Sequence, residues 1–542
     1  MGSIREPSPE YDVVIIGAGL AGIYSLYRAR GHGLRVKVLE AGAGEGGTWF
    51  WNTYPGCRFD SESYSYGFGF SEEVLQEWSW TEHFAPQTET LRYLQYLTDK
   101  FDLRKDMQFN TRVTSAHWQA NDRCWLLTDA NGKQYSARFL ITAMGILSQP
   151  SLPNIPGVET FQGEAWHPAQ WPKDWNLDGK RVGVIGTGAT AIQFIPEIAK
   201  TNLKHLTVFQ RRANWSAPLR NDKINPEEMA EIKKNYAAIL KQCNESYAGF
   251  LHSADPRKTM DVPEAERIAH WEEKYMQRGF AKWLGGFSDI GTNREAAQAY
   301  SEFIADKIRG RVDDPATAEK LIPKCHLFGT RRVPLESGYF ETFNKPNVRL
   351  VDYKADSPIE RITEKGVTLA SGEEIKLDVL IYATGFDALT GALTNGIDLR
   401  GVNGITPTEL WKDGIRTYLG LFLHGFPNLC GVGIPHQAFG NVPRSLEFAV
   451  DWVSTFLKHC QDHGITYLEA KEEEVGKWTE HVHDCSKGLL SNEVPSWMTG
   501  VSPNVEGRQR MIVARYSGSG PAYRKRVQEV AVRGHEDLVL KR

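Results

Sequence analysis

The stretch Tyr11-Asp-Val-Val-Ile-Ile-Gly17-Ala-Gly19-Leu-Ala-Gly22 decides the fold of the N-terminal part of this chain. A continuous apolar run leads into a G-x-G-x-x-G turn, and a helix-like stretch follows from Ile23 to Arg30. Such a run is typical of a parallel strand that is buried on both faces. Glycines in the turn let backbone N–H groups approach a pyrophosphate at the helix N-terminus, where the helix dipole favours negative charge. The stretch therefore predicts a βαβ dinucleotide-binding unit.

The next predicted strand, Arg35 to Glu40, supports this interpretation. Glu40 follows the last glycine at nearly the spacing of about 20 residues that is expected for an acid that binds the ribose hydroxyls. A carboxylate there would repel a 2'-phosphate. The first site is therefore predicted to bind FAD or NAD rather than NADP, against the alternative of a purely structural turn.

A second loop, Arg181-Val-Gly-Val-Ile-Gly186-Thr-Gly188-Ala-Thr-Ala191, repeats the pattern with Ala191 in the place of the third glycine. The strand that follows, Leu206 to Gln210, ends in Arg211-Arg212 instead of an acid. Guanidinium groups match phosphate oxygens bidentately and stay charged at working pH. This pair favours a 2'-phosphate, although two surface arginines after a strand are the simpler alternative. The implied pair of cofactors is FAD at the first loop and NADPH at the second.

The composition excludes several classes of function. A chain of 542 residues is too long for one core, and its net charge of -4 gives no electrostatic footprint for nucleic acid. The cysteines are odd in number and never spaced as CxxC, which suggests neither a disulfide framework nor a metal site. They stand at positions 57, 124, 243, 325, 430, 460 and 485.

The N-terminus and the hydropathy pattern bear on location. Met1 to Glu6 lacks an apolar signal core, and Glu6 stands where N-myristoylation requires Ser or Thr. No apolar run approaches the roughly 18 residues of a membrane span. We expect a cytoplasmic protein without a membrane partner, as a monomer or weak oligomer.

The predicted fold class is α/β, with two Rossmann-like dinucleotide-binding domains, for FAD and NADP, and a helical insertion. Asn225 as N-cap and Pro226 at the first helical position mark the start of that insertion. Strands resume at Val348–Asp352 and at 378–383. The predicted segments are 1–147 and 385–542 for the FAD-binding domain, 148–224 and 325–384 for the NADP-binding domain, and 225–324 for the helical subdomain.

Two longer motifs add specificity. Residues 161–172, Phe-Gln-Gly-Glu-Ala-Trp-His-Pro-Ala-Gln-Trp-Pro, fit F-x-G-x-x-x-H-x-x-x-W-P at every fixed position, directly before the second loop. Residues 47–60 fit G-x-W-x-x-x-x-Y-P-G-x-x-x-D. Alone, the first motif could be an ordinary linker with a packed Phe and Trp, and Asp60 could be a turn residue. With both loops and the 383–385 turn, the chain resembles type I Baeyer-Villiger monooxygenases over essentially its whole length.

This resemblance implies a reaction. NADPH reduces FAD, the reduced flavin captures O2, and a flavin C4a-peroxide attacks a ketone carbonyl. One carbon then migrates to oxygen, which gives an ester or lactone, while NADP+ stays bound. The partners implied are a small-molecule ketone and O2.

The resemblance also implies roles for particular residues. In Phe328-Gly329-Thr330-Arg331-Arg332, Arg332 corresponds to the catalytic arginine over the flavin, and Arg331 to the basic residue that holds the 2'-phosphate. Many relatives carry Lys at the position of Arg331. Asp60 is expected to hold Arg332, whose guanidinium stays charged beside the peroxide. His167 is expected to pin the linker between domains rather than to touch substrate.

The remaining candidates are binding residues. Those for FAD are Gly17, Gly19, Gly22, Glu40, Gly47, Thr48, Trp49, Asp60, Tyr66 and Val113. Those for NADP are Arg58, Gly186, Thr187, Gly188, Ala189, Thr190, Gln193, Arg211, Arg212, Arg331, Arg332 and Trp497. Those for the substrate are Val442, Trp497 and Val501, and no metal ligand is expected.

Three other classes of protein share part of this pattern. Flavin-containing monooxygenases, which oxidise nitrogen or sulfur, usually lack the Trp171-Pro172 ending and the Asp60 motif. Disulfide reductases require a cysteine pair near the flavin. A flavin-holding NADPH sensor would require neither Arg332 nor Asp60. Heteroatom oxygenation is the main alternative activity.

Overall fold

A computed structural model describes residues 9–542. The prediction made from Met1 to Glu6 lies outside these residues. The strands are β1 Tyr11–Ile16, β2 Val36–Leu39, β3 Met107–Gln108, β4 Val113–Gln119, β5 Cys124–Asp129, β6 Gln134–Thr142, β7 Glu164–Trp166, β8 Arg181–Ile185, β9 His205–Gln210, β10 Ala217–Pro218, β11 Leu335–Glu336, β12 Val348–Asp352, β13 Ile359–Thr363, β14 Gly366–Leu369, β15 Glu374–Lys376, β16 Val379–Tyr382, β17 Asp398–Arg400, β18 Leu429–Gly431, β19 Tyr467–Ala470 and β20 Leu538–Lys541.

Helices surround these strands. They are α1 Leu20–Gly31, α2 Thr48–Trp51, α3 Ser63–Tyr66, α4 Glu72–Glu77, α5 Gln87–Lys100, α6 Ala189–Ile198, α7 Pro226–Lys234, α8 Tyr236–Glu245, α9 Glu264–Met276, α10 Ala281–Leu284, α11 Arg294–Arg309, α12 Pro315–Leu321, α13 Tyr339–Thr342, α14 Gly391–Thr394, α15 Pro407–Leu410, α16 Val442–Asp462, α17 Glu472–Ser486 and α18 Gly520–Val532.

The first large sheet is built around β1. Its strand order is β17-β4-β5-β6-β1-β2-β3, with β18 also paired to β6. Strand β1 runs parallel to both β2 and β6. Val13 and Ile15 belong to one apolar cluster and Val14 to another, so the strand is buried on both faces. This confirms the interpretation of the apolar run before Gly17.

The second large sheet has the order β12-β9-β8-β16-β7, and all its neighbouring strands are parallel. Its edge strand β7 is formed by residues of the motif at 161–172. That motif is therefore part of the second sheet and not only a connection to it. The two sheets confirm an α/β fold with two dinucleotide-binding units.

The residues between β10 and β11, all of which the structure describes, contain helices α7 to α12 and no strand. Asn225 caps α7, because its side chain accepts the N–H of Glu228 at 2.8 Å, and Pro226 is the first helical residue. Helices α9 and α11 bury one face each, in the same apolar cluster as strands β1 and β8.

Membrane-spanning helices and metal-binding clusters are both missing from residues 9–542. In that part of the chain, no helix combines the length and the apolar character that crossing a membrane requires. No group of three or more His, Cys, Asp or Glu side chains there is arranged to hold a metal ion.

Candidate active site

The first glycine-rich turn is a tight cradle between β1 and α1. Gly17 has φ +102°, and a Cβ at this position would lie 2.6 Å from the carbonyl oxygen of Ala143. A Cβ on Gly22 would lie 1.8 Å from the carbonyl oxygen of Gly17. Gly19 is the N-cap of α1, and no side chain of the described residues caps it. The backbone N–H groups of the first turn are thus left to meet an anion.

A fourth glycine, from a separate segment of the chain, completes this cradle. Gly47 has φ +53°, and a Cβ on it would lie 2.7 Å from the Cα of Gly19. Glu40 is buried beside the turn, where its two carboxylate oxygens accept the N–H groups of Ala18 and Gly42, each at 2.7 Å. Its carboxylate therefore lies at the turn, as the ribose-binding prediction requires, and it also holds two segments of backbone together.

Aromatic residues flank the cradle. Trp49 is buried in α2, after the exposed Thr48, and its indole N–H donates to the hydroxyl of Tyr66 at 3.2 Å. The rings of Phe59 and Tyr66 stack at 4.0 Å. Val113 is buried at the start of β4, in the apolar cluster on the other face of the first sheet. Trp49, Phe59 and Tyr66 thus form one aromatic cluster, whereas Val113 belongs to the other apolar cluster.

Asp60 and Arg332 form an ion pair with 2.8 Å between Oδ2 and Nη2. The Asp60 side chain is 3% exposed and that of Arg332 is 29% exposed. The N–H of Leu335 also donates to Asp60, at 3.2 Å. Burial raises the pKa of Asp60, and the charge of Arg332 and the Leu335 N–H oppose this rise. The buried carboxylate of Asp60 thus holds the partly exposed guanidinium of Arg332 in place.

The second glycine-rich turn has the same construction. Gly186 has φ +111°, and a Cβ on it would lie 2.3 Å from the carbonyl oxygen of Ala383. Gly188 is the N-cap of α6, and a Cβ on it would meet no atom within 4 Å. Thr187 donates its hydroxyl to the carbonyl oxygen of Arg212 at 3.3 Å. This contact fixes the turn to the segment after β9.

Helix α6 begins at Ala189 and Thr190 and connects the second turn to the motif at 47–60. The Gln193 amide donates to the carbonyl oxygen of Arg58 and accepts from the hydroxyl of Tyr54, both at 2.9 Å. The Arg58 guanidinium is paired with Glu82 at 2.9 Å. Sequence patterns did not reveal these bridges, because each partner comes from a different motif. They tie the two nucleotide-binding units together.

Three arginines lie close together in space: Arg211 and Arg212, which follow β9, and Arg331. Arg211 and Arg212 are exposed, and none of the three, Arg331 included, has an ion pair within residues 9–542. The Nε of Arg331 is buried without a hydrogen-bond partner in the described structure. Burial lowers the pKa of Arg331, and the charges of Arg212 and Arg211 lower it further. Burial and the charges of Arg331 and Arg212 also lower the pKa of His326 to about 3. This cluster has the charge that a multiply charged anion requires.

The three candidate substrate residues lie on two segments. Val442 is half-buried at the start of α16, directly after Asn441, whose amide donates to the carbonyl oxygen of Ser65 at 3.0 Å. Trp497 is 36% exposed on a short 3₁₀ turn, and Val501 is buried behind it. Among residues 9–542, the side-chain hydrogen bond of Arg332 goes to Asp60 and not to any of these three residues.

His167, within the 161–172 motif, uses both ring nitrogens in hydrogen bonds to the backbone. Its Nε2 lies 2.9 Å from the carbonyl oxygen of Gly385, and its Nδ1 accepts the N–H of Ala169 at 3.1 Å. A carbonyl oxygen only accepts, so the ring is the neutral tautomer with the proton on Nε2. Burial lowers the pKa of His167, which favours this neutral form. The ring connects β7 to the segment after β16.

One buried polar contact near Asp60 was not anticipated. Glu62 is 3% exposed, and its Oε1 lies 2.7 Å from Nε2 of His252 in the helical subdomain. Its Oε2 has no hydrogen-bond partner among residues 9–542. Nothing in the local sequence indicates this contact, because His252 lies in a loop without a motif.

The residues present fit two dinucleotides. The first turn has space only for glycine and has a helix N-terminus without a side-chain cap, with the acid Glu40 beside it. The second turn has a similar cradle, next to three arginines, and the buried Nε of Arg331 has no hydrogen-bond partner in the described structure. The difference in charge matches FAD at the first site and a 2'-phosphorylated nicotinamide nucleotide at the second.

A family model described as pyridine nucleotide-disulphide oxidoreductase matches residues 14–268. The match covers the first nucleotide-binding unit, the second turn and part of the helical subdomain. All seven cysteines lie in the described part of the chain, and each is free. The likeness to this family thus concerns nucleotide binding, since a redox disulfide is missing from the described residues.

Curated relatives match the whole chain. The 2-oxo-Δ3-4,5,5-trimethylcyclopentenylacetyl-CoA monooxygenase of Pseudomonas putida is 43% identical over 99% of this chain and 100% of its own length. The cyclohexanone 1,2-monooxygenase of an Acinetobacter species is 39% identical over 95% of this chain and 94% of its own. The phenazine N-monooxygenase of Lysobacter antibioticus is 38% identical over 99% and 98%.

Solved structures agree with these relatives. The crystal structure of OTEMO in complex with FAD and NADP is 42% identical, with a TM-score of 0.94 over 99% of this chain and 100% of that one. Full-length identity of this order, together with the two cradles and the Asp60–Arg332 pair, establishes the family. The chain belongs to the Baeyer-Villiger monooxygenases, the flavin-dependent oxidoreductases that use FAD and NADPH.

Proposed function

We propose that this enzyme uses NADPH and O2 to insert one oxygen atom beside the carbonyl of a small ketone, giving an ester or lactone. The observation that carries this proposal is the Asp60–Arg332 ion pair of 2.8 Å, next to a cradle suited to FAD. The ketone-oxygenating activities in the names of its relatives support it. FAD, once reduced by NADPH, would supply the oxygen-activating chemistry.

Arg332 is proposed as the catalytic cation. Its guanidinium stays charged at every working pH, so it offers fixed positive charge to negative charge that develops on the carbonyl oxygen of the ketone. Asp60 is proposed to position Arg332. Its buried carboxylate accepts hydrogen bonds from the Arg332 guanidinium and from the N–H of Leu335, which fixes the arginine relative to the backbone. A donor that is positioned before the reaction avoids reorganisation during it.

The binding residues are assigned by the same reasoning. Gly17, Gly19, Gly22, Glu40, Gly47, Thr48, Trp49, Asp60, Tyr66 and Val113 would surround FAD. Gly186, Thr187, Gly188, Ala189, Thr190 and Gln193 would lie along the NADP pyrophosphate, with Arg58 and Trp497 nearby. Arg211, Arg212 and Arg331 would bind the 2'-phosphate, which explains why three arginines lie together without an ion pair in the described chain. Val442, Trp497 and Val501 would contact the ketone.

We also propose the division of the chain that its sequence predicts: 1–147 and 385–542 for FAD, 148–224 and 325–384 for NADP, and 225–324 as the helical subdomain. The membership of the two large sheets supports it, since β17 and β18 join the first sheet, and β12 and β16 the second. Seven free cysteines are consistent with a cytoplasmic protein. A monomer or weak oligomer is expected.

The similarity to a phenazine N-monooxygenase makes heteroatom oxygenation the second candidate. Product analysis separates the two. The purified holoenzyme is given NADPH with cyclic, linear, aryl and polycyclic ketones, and in parallel with thioethers and aromatic amines. The proposal expects an ester or lactone that carries one atom from labelled O2. Oxidation of amines or thioethers without ester from any ketone would establish the alternative.

A further inference from the structure

Arg515 is a cation that lacks a counter-charge. It lies in the segment after Trp497, and its Nη2 donates to the hydroxyl of Ser491 at 2.8 Å. Its Nε is buried and has no hydrogen-bond partner in residues 9–542, nor does any carboxylate there form an ion pair with it. Buried arginines are nearly always paired, because an uncompensated charge is costly to remove from water.

The position of Arg515 connects it to the proposed ketone site. The N–H of Ile512 donates to the carbonyl oxygen of Thr499 at 2.9 Å, which brings this segment against the Trp497 turn. Tyr516 forms a bridge to Ala438, close to the start of α16. Arg515 therefore lies on the segment that runs between the two sets of candidate substrate residues.

Arg515 is half-buried, and Tyr247 lies near it. Tyr247, two residues beyond α8, is 62% exposed, and its hydroxyl donates to the carbonyl oxygen of Ser517. Ser491 follows Leu490, whose N–H donates to the carbonyl oxygen of Gly291 at 3.0 Å. The guanidinium thus lies between the C-terminal segment and residues that follow α8, beside Ser491 and Tyr247.

We propose that Arg515 binds an anionic group of the substrate, so that this enzyme prefers ketones that carry a negatively charged substituent such as a carboxylate. The inference rests on the proposed ketone oxygenation and names the substrate class of that site. Burial lowers the pKa of Arg515, in keeping with a cation that lacks a compensating anion. An entering carboxylate supplies the missing charge and accepts the unused N–H.

The test compares 4-oxocyclohexanecarboxylate with its methyl ester, which differ chiefly in charge. For the parent holoenzyme, kcat/KM for the acid should exceed that for the ester by about tenfold or more, the size of one charge-assisted hydrogen bond. Arg515→Met should raise KM for the acid, so that the preference for the acid over the ester disappears. Arg515→Lys should keep part of it, because the charge remains while the Nε donor is lost.

Arg510→Met is the matched control, since Arg510 is an exposed arginine of the same segment, and the acid-to-ester ratio should be unchanged there. FAD content and thermal midpoint verify that each variant folds. If Arg515→Met does not fold, Arg515→Lys and Arg515→Gln provide the comparison. An equal preference for acid and ester in the parent, or an unchanged ratio in the Arg515 variants, overturns the proposal.

A binding measurement separates this inference from the proposed function. Cyclohexanecarboxylate, which has no ketone, is titrated into the FAD- and NADP+-loaded enzyme in a calorimeter. Binding that weakens with salt and is lost in Arg515→Met supports the anion site, even if neither ketone is converted and the proposed reaction fails. Absence of binding in the parent overturns the anion site, whatever the activity toward the ester.

Discussion

Asp60 and Arg332 are separated by 272 positions in the chain, yet their side chains meet at 2.8 Å. Asp60 ends the 47–60 motif, whereas Arg332 lies between the helical subdomain and β11. A buried carboxylate with one cationic and one backbone partner fixes both elements. The pair therefore links the proposed catalytic cation to the FAD-binding part of the chain.

Replacement of Arg332 by Ala should remove ester formation while FAD remains bound, because Arg332 is paired with Asp60 and takes no part in the close contacts of the glycine cradle. Loss of a preorganised charge at a developing oxyanion costs about 10²- to 10³-fold in kcat. Asp60→Ala should have a smaller effect of the same kind. Rates of lactone formation and the flavin absorbance at equal protein concentration measure the two properties. A near-parental rate in Arg332→Ala would remove this residue from the mechanism.

The arginine cluster should determine coenzyme preference. Arg331→Ala and Arg211→Ala should each raise KM for NADPH by roughly 10- to 100-fold, as expected for one charge-assisted contact to phosphate. KM for NADH should barely change, since NADH lacks the 2'-phosphate. Arg349→Ala, which removes an exposed arginine that is paired with Glu373, is the control. Parallel loss with both coenzymes would argue against the 2'-phosphate assignment.

The cradle around Gly22 should tolerate no side chain. Gly22→Ala would bring a Cβ within 1.8 Å of the carbonyl oxygen of Gly17, so either α1 or the turn must move. We expect loss of most bound FAD and a destabilisation of about 3 kcal/mol or more. Gly31→Ala, in the same helix and in open space, should be neutral or stabilising by about 0.5 to 1 kcal/mol. Equal FAD content in both variants would contradict the close approach.

Lys282 should make stability depend on pH. It is buried in α10, its Nζ donates to the carbonyl oxygen of Pro218 at 2.7 Å, and burial lowers its pKa to about 7. In the unfolded chain the pKa of Lys is about 10.4, so between these two pH values the unfolded state binds more protons. Stability attributable to this group therefore rises with pH across the window, by at most about 1.4 kcal/mol per unit.

Lys282→Met should remove that rise. The difference in unfolding free energy between parent and variant, from urea midpoints at pH 7 to 10, should grow in favour of the parent. Lys412→Met, at an exposed lysine, should show no such trend. A constant difference between parent and Lys282→Met would mean that the buried amine keeps its ordinary pKa.

Local backbone requirements explain what could be predicted from the sequence. A glycine with positive φ, or one whose Cβ would meet a carbonyl oxygen, has no substitute, so both turns are readable from their spacing. Strand β12 coincides with the predicted run Val348–Asp352, because an apolar run between turn residues has few alternatives in an α/β protein. The N-cap at Asn225 is equally local.

The sequence by itself thus determined the two nucleotide-binding units, the helical insertion and the type of residue at each proposed site. The resemblance to a family paired Asp60 with Arg332, but only the tertiary structure decided the distance between them. It also decided that residues 164–166 form an edge strand, that Gln193 bridges to Arg58, and that Arg515 lacks a counter-charge. These features depend on groups far apart in the chain, and burial and pairing of charge exist only after packing has removed water from between them.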